Sequence, residues 1–142
     1  MKVFISHSYQ DSALAKQLAR GLSEQGFKPW LAENEVFPGD NWAEAQAAAL
    51  KDSQAMIGLV TPLSGAAPQV RQELGYALTN KAYRGRVIPL IVGDRQNVPP
   101  NAFPWILERY RVVEIPSEAG MESAVSQIAD ELKRNTPAKA EA

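Results

Sequence analysis

The sequence predicts a three-layer α/β sandwich: a five-stranded parallel sheet in the order 2-1-3-4-5, with helices on both faces. Three observations lead there. The apolar runs Val3-Phe4-Ile5, Ala55 to Val60 and Val87 to Val92 are continuous rather than alternating, as in strands buried on both sides. Helical patterns stand between the strands, and each crossover must return right-handed over the sheet, which makes the sheet parallel. The chain has 142 residues, 45% of them hydrophobic and 22% charged, which suits one core and is too little for two.

The first strand ends at Ser6-His7-Ser8. Leu14, Ala15, Leu18, Ala19 and Leu22 then fall at helical spacing before the breaker Gly26, and Ser8 with Asp11 has the spacing of a capping box. Phe27 to Leu31 reads as the second strand. After it, Glu33 to Asp40 carries charges and the pair Pro38-Gly39, which predict a substantial loop without regular structure. Trp42 to Lys51 is rich in alanine, which loses no side-chain entropy in a helix. Ala55 to Val60 reads as a central strand, stopped by Thr61-Pro62-Leu63-Ser64-Gly65. Pro68 suits the first turn of a helix that keeps Val70, Leu74, Ala77 and Leu78 on one face up to Asn80. Val87 to Val92 is a buried strand interrupted by Pro89, and Val112 to Ile115 is the last strand. Between them, Asn97 to Tyr110 predicts a loop and one short helix. Met121, Val125, Ile128, Ala129 and Leu132 form the closing helix of a domain spanning residues 1–134, and residues 135–142 read as a flexible tail.

Fifteen Lys+Arg against sixteen Asp+Glu leave no global basic field, so neither nucleic acid nor a membrane surface is an expected partner. The N-terminal run turns polar at Ser6, unlike a signal peptide or a membrane span, and a cytoplasmic location is expected. The absence of cysteine excludes thiolate nucleophiles and disulfides. With a single histidine, no metal site is expected. No GxGxxG or Walker motif occurs, and no cofactor is expected.

In this flavodoxin-like order, ligands bind outside the carboxyl ends of the strands where the order reverses, between strands one and three. The loops Ser6 to Gln10 and Thr61 to Pro68 lie there, with Glu73 on the helix leaving the second loop and Trp30 near the end of the neighbouring strand. A response-regulator receiver would need paired acids where Ser6-His7-Ser8 stands, and a flavodoxin would need a glycine-rich phosphate loop. His7, without an evident partner, reads as a turn or packing residue before a base. Trp30 reads as a core aromatic and also as a stacking wall for a flat ligand. Glu73 is either a solvated helical carboxylate or one aimed into the cleft.

Taken in order, Val3-Phe4-Ile5-Ser6-His7-Ser8, Gly26-Phe27-Lys28-Pro29-Trp30-Leu31, Pro38-Gly39-Asp40, Leu59-Val60-Thr61-Pro62-Leu63-Ser64, Glu73-Leu74 and Val87-Ile88-Pro89-Leu90-Ile91-Val92 resemble a Toll/interleukin-1 receptor (TIR) domain of the bacterial NAD-cleaving type. The resemblance covers about residues 2–133. It implies that Glu73 is the catalytic glutamate and that Trp30 lines the nicotinamide pocket, with Ser6, His7, Ser8 and Ser64 beside the bound nucleotide. It also implies that the stretch from about Glu33 to Asn41 is the family's BB loop, with Glu35, Phe37, Pro38, Gly39 and Asp40 serving assembly. The implied partners are NAD+ as substrate, further copies of the chain, and a separate sensor or effector protein.

The chemistry suits so restricted a set of side chains. Nicotinamide leaves ribose as a neutral pyridine, so no general acid is needed, and one carboxylate can stabilise the oxocarbenium-like transition state. Capture by water gives ADP-ribose. Capture by a group of the same molecule gives a cyclic ADP-ribose isomer, and either outcome fits prokaryotic antiviral defence or signalling. The alternative is a non-enzymatic interaction module, a homotypic scaffold or a mimic of host TIR signalling. Ala32 and Gln69-Val70 favour that alternative, because many members carry an aspartate and a Trp-Cys pair there. Nucleoside deoxyribosyl transfer is a third class that places a glutamate near a sugar.

Overall fold

The computed structural model describes residues 1–61, 68–80, 83, 86–93 and 112–134. Its strands are β1 (Lys2–Ser6), β2 (Lys28–Trp30), β3 (Ala55–Val60), β4 (Val87–Val92) and β5 (Val113–Ile115). Its helices are α1 (Ser12–Glu24), α2 (Ala32–Glu35), α3 (Trp42–Asp52), α4 (Pro68–Thr79) and α5 (Met121–Arg134). All neighbouring strands pair parallel, in the order β2-β1-β3-β4-β5 that the sequence predicts.

Strand parity divides the core. Val3, Ile5, Ala55, Ile57, Leu59, Ile88 and Leu90 turn to the face where α1 and α5 bring Leu18, Leu22, Ile128 and Leu132. Phe4, Trp30, Met56 and Val87 turn to the opposite face, where α3 supplies Ala49 and α4 supplies Val70, Leu74 and Ala77. Every residue of β3 and β4 is buried, which is why both read as unbroken apolar runs. Pro89 does not interrupt β4. It pairs in register with Gly58, and the register with β5 begins only at Leu90, so its missing N–H falls outside that ladder.

Two local expectations are corrected. No capping box forms at Ser8. Tyr9–Asp11 makes a 3-10 turn in which the Asp11 N–H bonds the Ser8 carbonyl (3.0 Å), and the Ser8 hydroxyl donates to the Asp11 carboxylate instead (3.2 Å). The stretch after β2 is not wholly irregular either. Buried Leu31 and Ala32 anchor one turn of helix, α2, closed by the Val36 N–H on the Ala32 carbonyl (3.0 Å). No glycine or proline occurs between Leu31 and Phe37 to prevent that turn. The break comes at Phe37-Pro38-Gly39-Asp40, where the Asp40 N–H bonds the Phe37 carbonyl (2.9 Å) and Gly39 takes φ 96°. Proline followed by a left-handed glycine is the type II pattern. Asn41 then caps α3 by accepting the Glu44 N–H (3.1 Å).

The expectations for Ser64, for the loop and short helix between Asn97 and Tyr110, and for the tail at 135–142 lie outside the described residues. Among the described residues, no helix is long and apolar enough to cross a membrane.

Candidate active site

One close approach positions the central carboxylate. Ser6 ends β1 in register with Gly58 of β3. Gly58 has no side chain, and Leu74 of α4 settles against it: a Cβ there would stand 2.7 Å from Leu74 Cδ2. Drawn onto the sheet at this point, α4 brings its preceding residue, Glu73, over the end of β1. The Ser6 hydroxyl donates to Glu73 Oε1 at 2.5 Å. Glu73 Oε2 accepts from the side-chain amide of Gln46 on α3. A glutamate in the middle of a helix is thus only 7% exposed and held at both oxygens, unlike the solvated surface residue that its helical setting first suggests.

Glu73 forms part of the wall of a cleft of about 330 Å³. Phe4 of β1 and Trp30 of β2 form its apolar side, and Ile5 also reaches the lining although its side chain belongs to the opposite cluster. His7, Tyr9 and Ser12 approach from the segment after β1, Ala32 comes from α2, and Trp42 and Gln46 come from α3. Among the described lining residues, Glu73 is the one carboxylate. Trp30 stacks on Phe4 with ring centroids 5.1 Å apart and planes inclined by 12°, so one ring face is already occupied. Trp42 and Tyr9 are the freer aromatics, 48% and 91% exposed. Apolar walls with a few convergent polar groups are the usual make-up of a small-molecule site.

The sequence-derived site residues separate into three sets. Ser6, His7, Trp30 and Glu73 meet in or beside the cleft. His7 Nδ1 lies 2.7 Å from the Ser8 carbonyl, which can only accept, so that nitrogen carries the proton. Ser8 turns away toward Asp11, whose carboxylate also accepts from Thr61 Oγ1 at the end of β3 (3.1 Å to each oxygen). This buried cluster ties the segment after β1 to β3 and leaves Ser8 outside the described cleft lining. Glu35, Phe37, Pro38, Gly39 and Asp40 also stand outside that lining, although Ala32 and Trp42 on either side of their loop belong to it.

Sequence reasoning misses Gln46, Trp42 and Tyr9. A signal is present for two of them: Gln46 follows Trp42 by four positions, so both occupy one face of α3. Tyr9 lies in the Ser6 to Gln10 loop that the strand order selects, but it is not singled out there as Ser6, His7 and Ser8 are.

Among the described residues, no group of three or more His, Asp or Glu is placed to hold a metal ion. Two titrations are perturbed nearby. Burial, with Tyr76 close by, raises the Tyr83 hydroxyl well above its ordinary range, and that hydroxyl donates to the Leu50 carbonyl near the end of α3 (2.5 Å). Burial lowers the Arg86 guanidinium, which donates to the Gln54 carbonyl (2.8 Å). Tyr83 anchors the far end of α3 and Arg86 the link from α3 to β3, and neither is in the cleft lining.

Compared with known proteins, residues 3–129 match the family profile described as TIR domain. No curated protein matches the chain. Among solved structures, the TIR domain of the Toll-related receptor TRR-2 from Hydra magnipapillata aligns with TM-score 0.68 and 17% identity, covering 92% of this chain and 97% of that one. A TIR-STING receptor from C. gigas aligns with TM-score 0.63 and 18% identity, covering 87% of this chain and 39% of that one. The CMP N-glycosidase BcmB of Clostridium botulinum aligns with TM-score 0.59 and 16% identity, covering 89% and 98%.

Proposed function

Because the chain belongs to the TIR domain family, we propose that it is an NAD+ nucleosidase, cleaving the nicotinamide–ribose bond to give nicotinamide with ADP-ribose or a cyclic isomer. The observation that carries this reading is Glu73, a buried carboxylate held by Ser6 and Gln46 in an aromatic cleft. As the glycosidic bond breaks, positive charge develops on the ribose while the nicotinamide ring becomes neutral. A fixed negative group beside the sugar therefore lowers the barrier more than it stabilises the ground state. A carboxylate has about four acceptor positions, which lets one side chain be held by protein donors and also accept a ribose hydroxyl. A space of about 330 Å³ fits one nucleoside. The adenosine half of NAD+ then lies along the mouth, where Tyr9 and Trp42 offer exposed ring faces.

The Clostridium botulinum neighbour is a CMP N-glycosidase, which supports the same bond class with a smaller substrate. Purified protein is incubated with NAD+ and separately with CMP, dilute and then under crowding, and released base is measured by chromatography. Nicotinamide release that Glu73→Gln abolishes is the expected result. Release of cytosine alone would move the substrate to a mononucleotide. Release of neither base under any condition would leave the non-enzymatic module. Phe37 is the observation favouring that second reading: it is 65% exposed at the tip of the Pro38-Gly39 turn, where an apolar ring suits contact with another copy.

A further inference from the structure

We propose that Gln46 is a positioning residue for Glu73, holding the carboxylate in the cleft by a grip that leaves its charge intact; this rests on the N-glycosidase reading. The orientation of the Gln46 amide follows from its partner. A carboxylate only accepts, so the atom facing Glu73 Oε2 is the nitrogen. Ser6, at the end of β1, holds the other oxygen, Oε1. Two donors from two elements fix both the position and the plane of the carboxylate.

The site on α3 makes this placement specific. Trp42, Gln46 and Ala49 fall at i, i+4 and i+7, on the face of α3 that meets the cleft and the core. Alanines fill much of the rest of the helix. A half-buried carboxamide on such a face costs free energy unless it is hydrogen-bonded, and the Glu73 carboxylate supplies that bond.

The chemistry of the two donors matters as much as their geometry. Serine hydroxyl and glutamine amide are both neutral. Lysine or arginine in place of Gln46 would also donate to Glu73, but would cancel the negative charge that must face a cationic ribose. A neutral grip fixes the carboxylate and keeps its field. Since α3 starts directly after the Phe37–Asp40 turn, a displacement of that turn carried along the helix would move Gln46 and Trp42 together.

The test uses the full chain with Gln46→Met, which keeps length and helix propensity but loses the donor, and Gln46→Lys, which keeps a donor but adds charge. In the parent, one side-chain amide proton of Gln46 is expected downfield and slow to exchange by nuclear magnetic resonance, and Glu73→Ala returns it to the position of an exposed glutamine. This readout needs no turnover. For nicotinamide release, both variants are expected to lose about tenfold in kcat with KM within about twofold. An amide proton indifferent to Glu73→Ala overturns the proposal whatever the activity, as does Gln46→Lys turning over like the parent. A parent with the shifted proton but no turnover would overturn the N-glycosidase reading and leave the grip on Glu73 standing.

Discussion

The two faces of the sheet are built from the same strands yet differ in kind. On one, α1 and α5 close over the larger apolar cluster, and Gly21 lets them approach so nearly that a Cβ there would meet Val125 at 2.6 Å. On the other, α3 and α4 cover a smaller cluster that admits Ser6, Gln46 and Glu73 and opens into the cleft. Polar groups at this depth are tolerated only when partnered. The first face is therefore the apolar one, and the second gives up apolar contact to hold a charged group at the cleft. The division follows strand parity: on β1, Val3 and Ile5 look one way and Phe4 looks the other.

Substitutions can break this division or sharpen it. The largest effect is expected from Glu73→Gln, which should lower nicotinamide release by at least about a hundredfold while thermal denaturation shows an unchanged or higher midpoint. Leu18→Ala, on the other face, should do the reverse. Chemical denaturation should show a loss of about 2–5 kcal/mol, with unchanged turnover per folded molecule. Gly58→Ala tests where the two functions meet. Its Cβ would displace Leu74 and with it Glu73, so a stability loss of about 1–3 kcal/mol should accompany reduced turnover.

Trp42→Ala, at an exposed position, should raise KM several-fold and leave the denaturation midpoint almost unmoved. The smallest effect is expected from Tyr83→Phe, which removes the hydroxyl that bonds the Leu50 carbonyl and Ser53, at about 1 kcal/mol for each bond. Tyr83 also gives a pH dependence. Burial holds its hydroxyl protonated in the folded chain, whereas the unfolded chain ionises it near its ordinary pKa of 10. The stability from this group is fully present below that pH and is lost as pH rises above it. Alkaline denaturation profiles of the parent and Tyr83→Phe should differ in that limb.

Local pattern carried most of the fold. Ala55–Val60 and Val87–Val92 begin and end where their apolar runs do, because a strand buried on both faces admits no polar residue. Glu73 was legible as a candidate because it stands a turn or so into the helix that follows the central strand at the point where strand order reverses. The one-turn helix after β2 was not legible, since its formation depends on Leu31 and Ala32 finding buried positions. Ser8 looked like a cap and became a partner of Asp11, because the backbone turned into a 3-10 helix there and took up the Asp11 N–H.

The sequence by itself determined the strands and a parallel sheet, since these follow from apolar periodicity and the handedness of crossovers, and the flavodoxin-like order it suggested is the order observed. Only the tertiary structure decided what holds the carboxylate. Ser6 stands 67 positions from Glu73 and Gln46 stands 27 away. Periodicity reports which face a residue occupies within its own element. Which side chains meet across elements depends on how closely the helices settle on the sheet, and here the absent side chain of Gly58 lets Leu74, and Glu73 beside it, come down over β1.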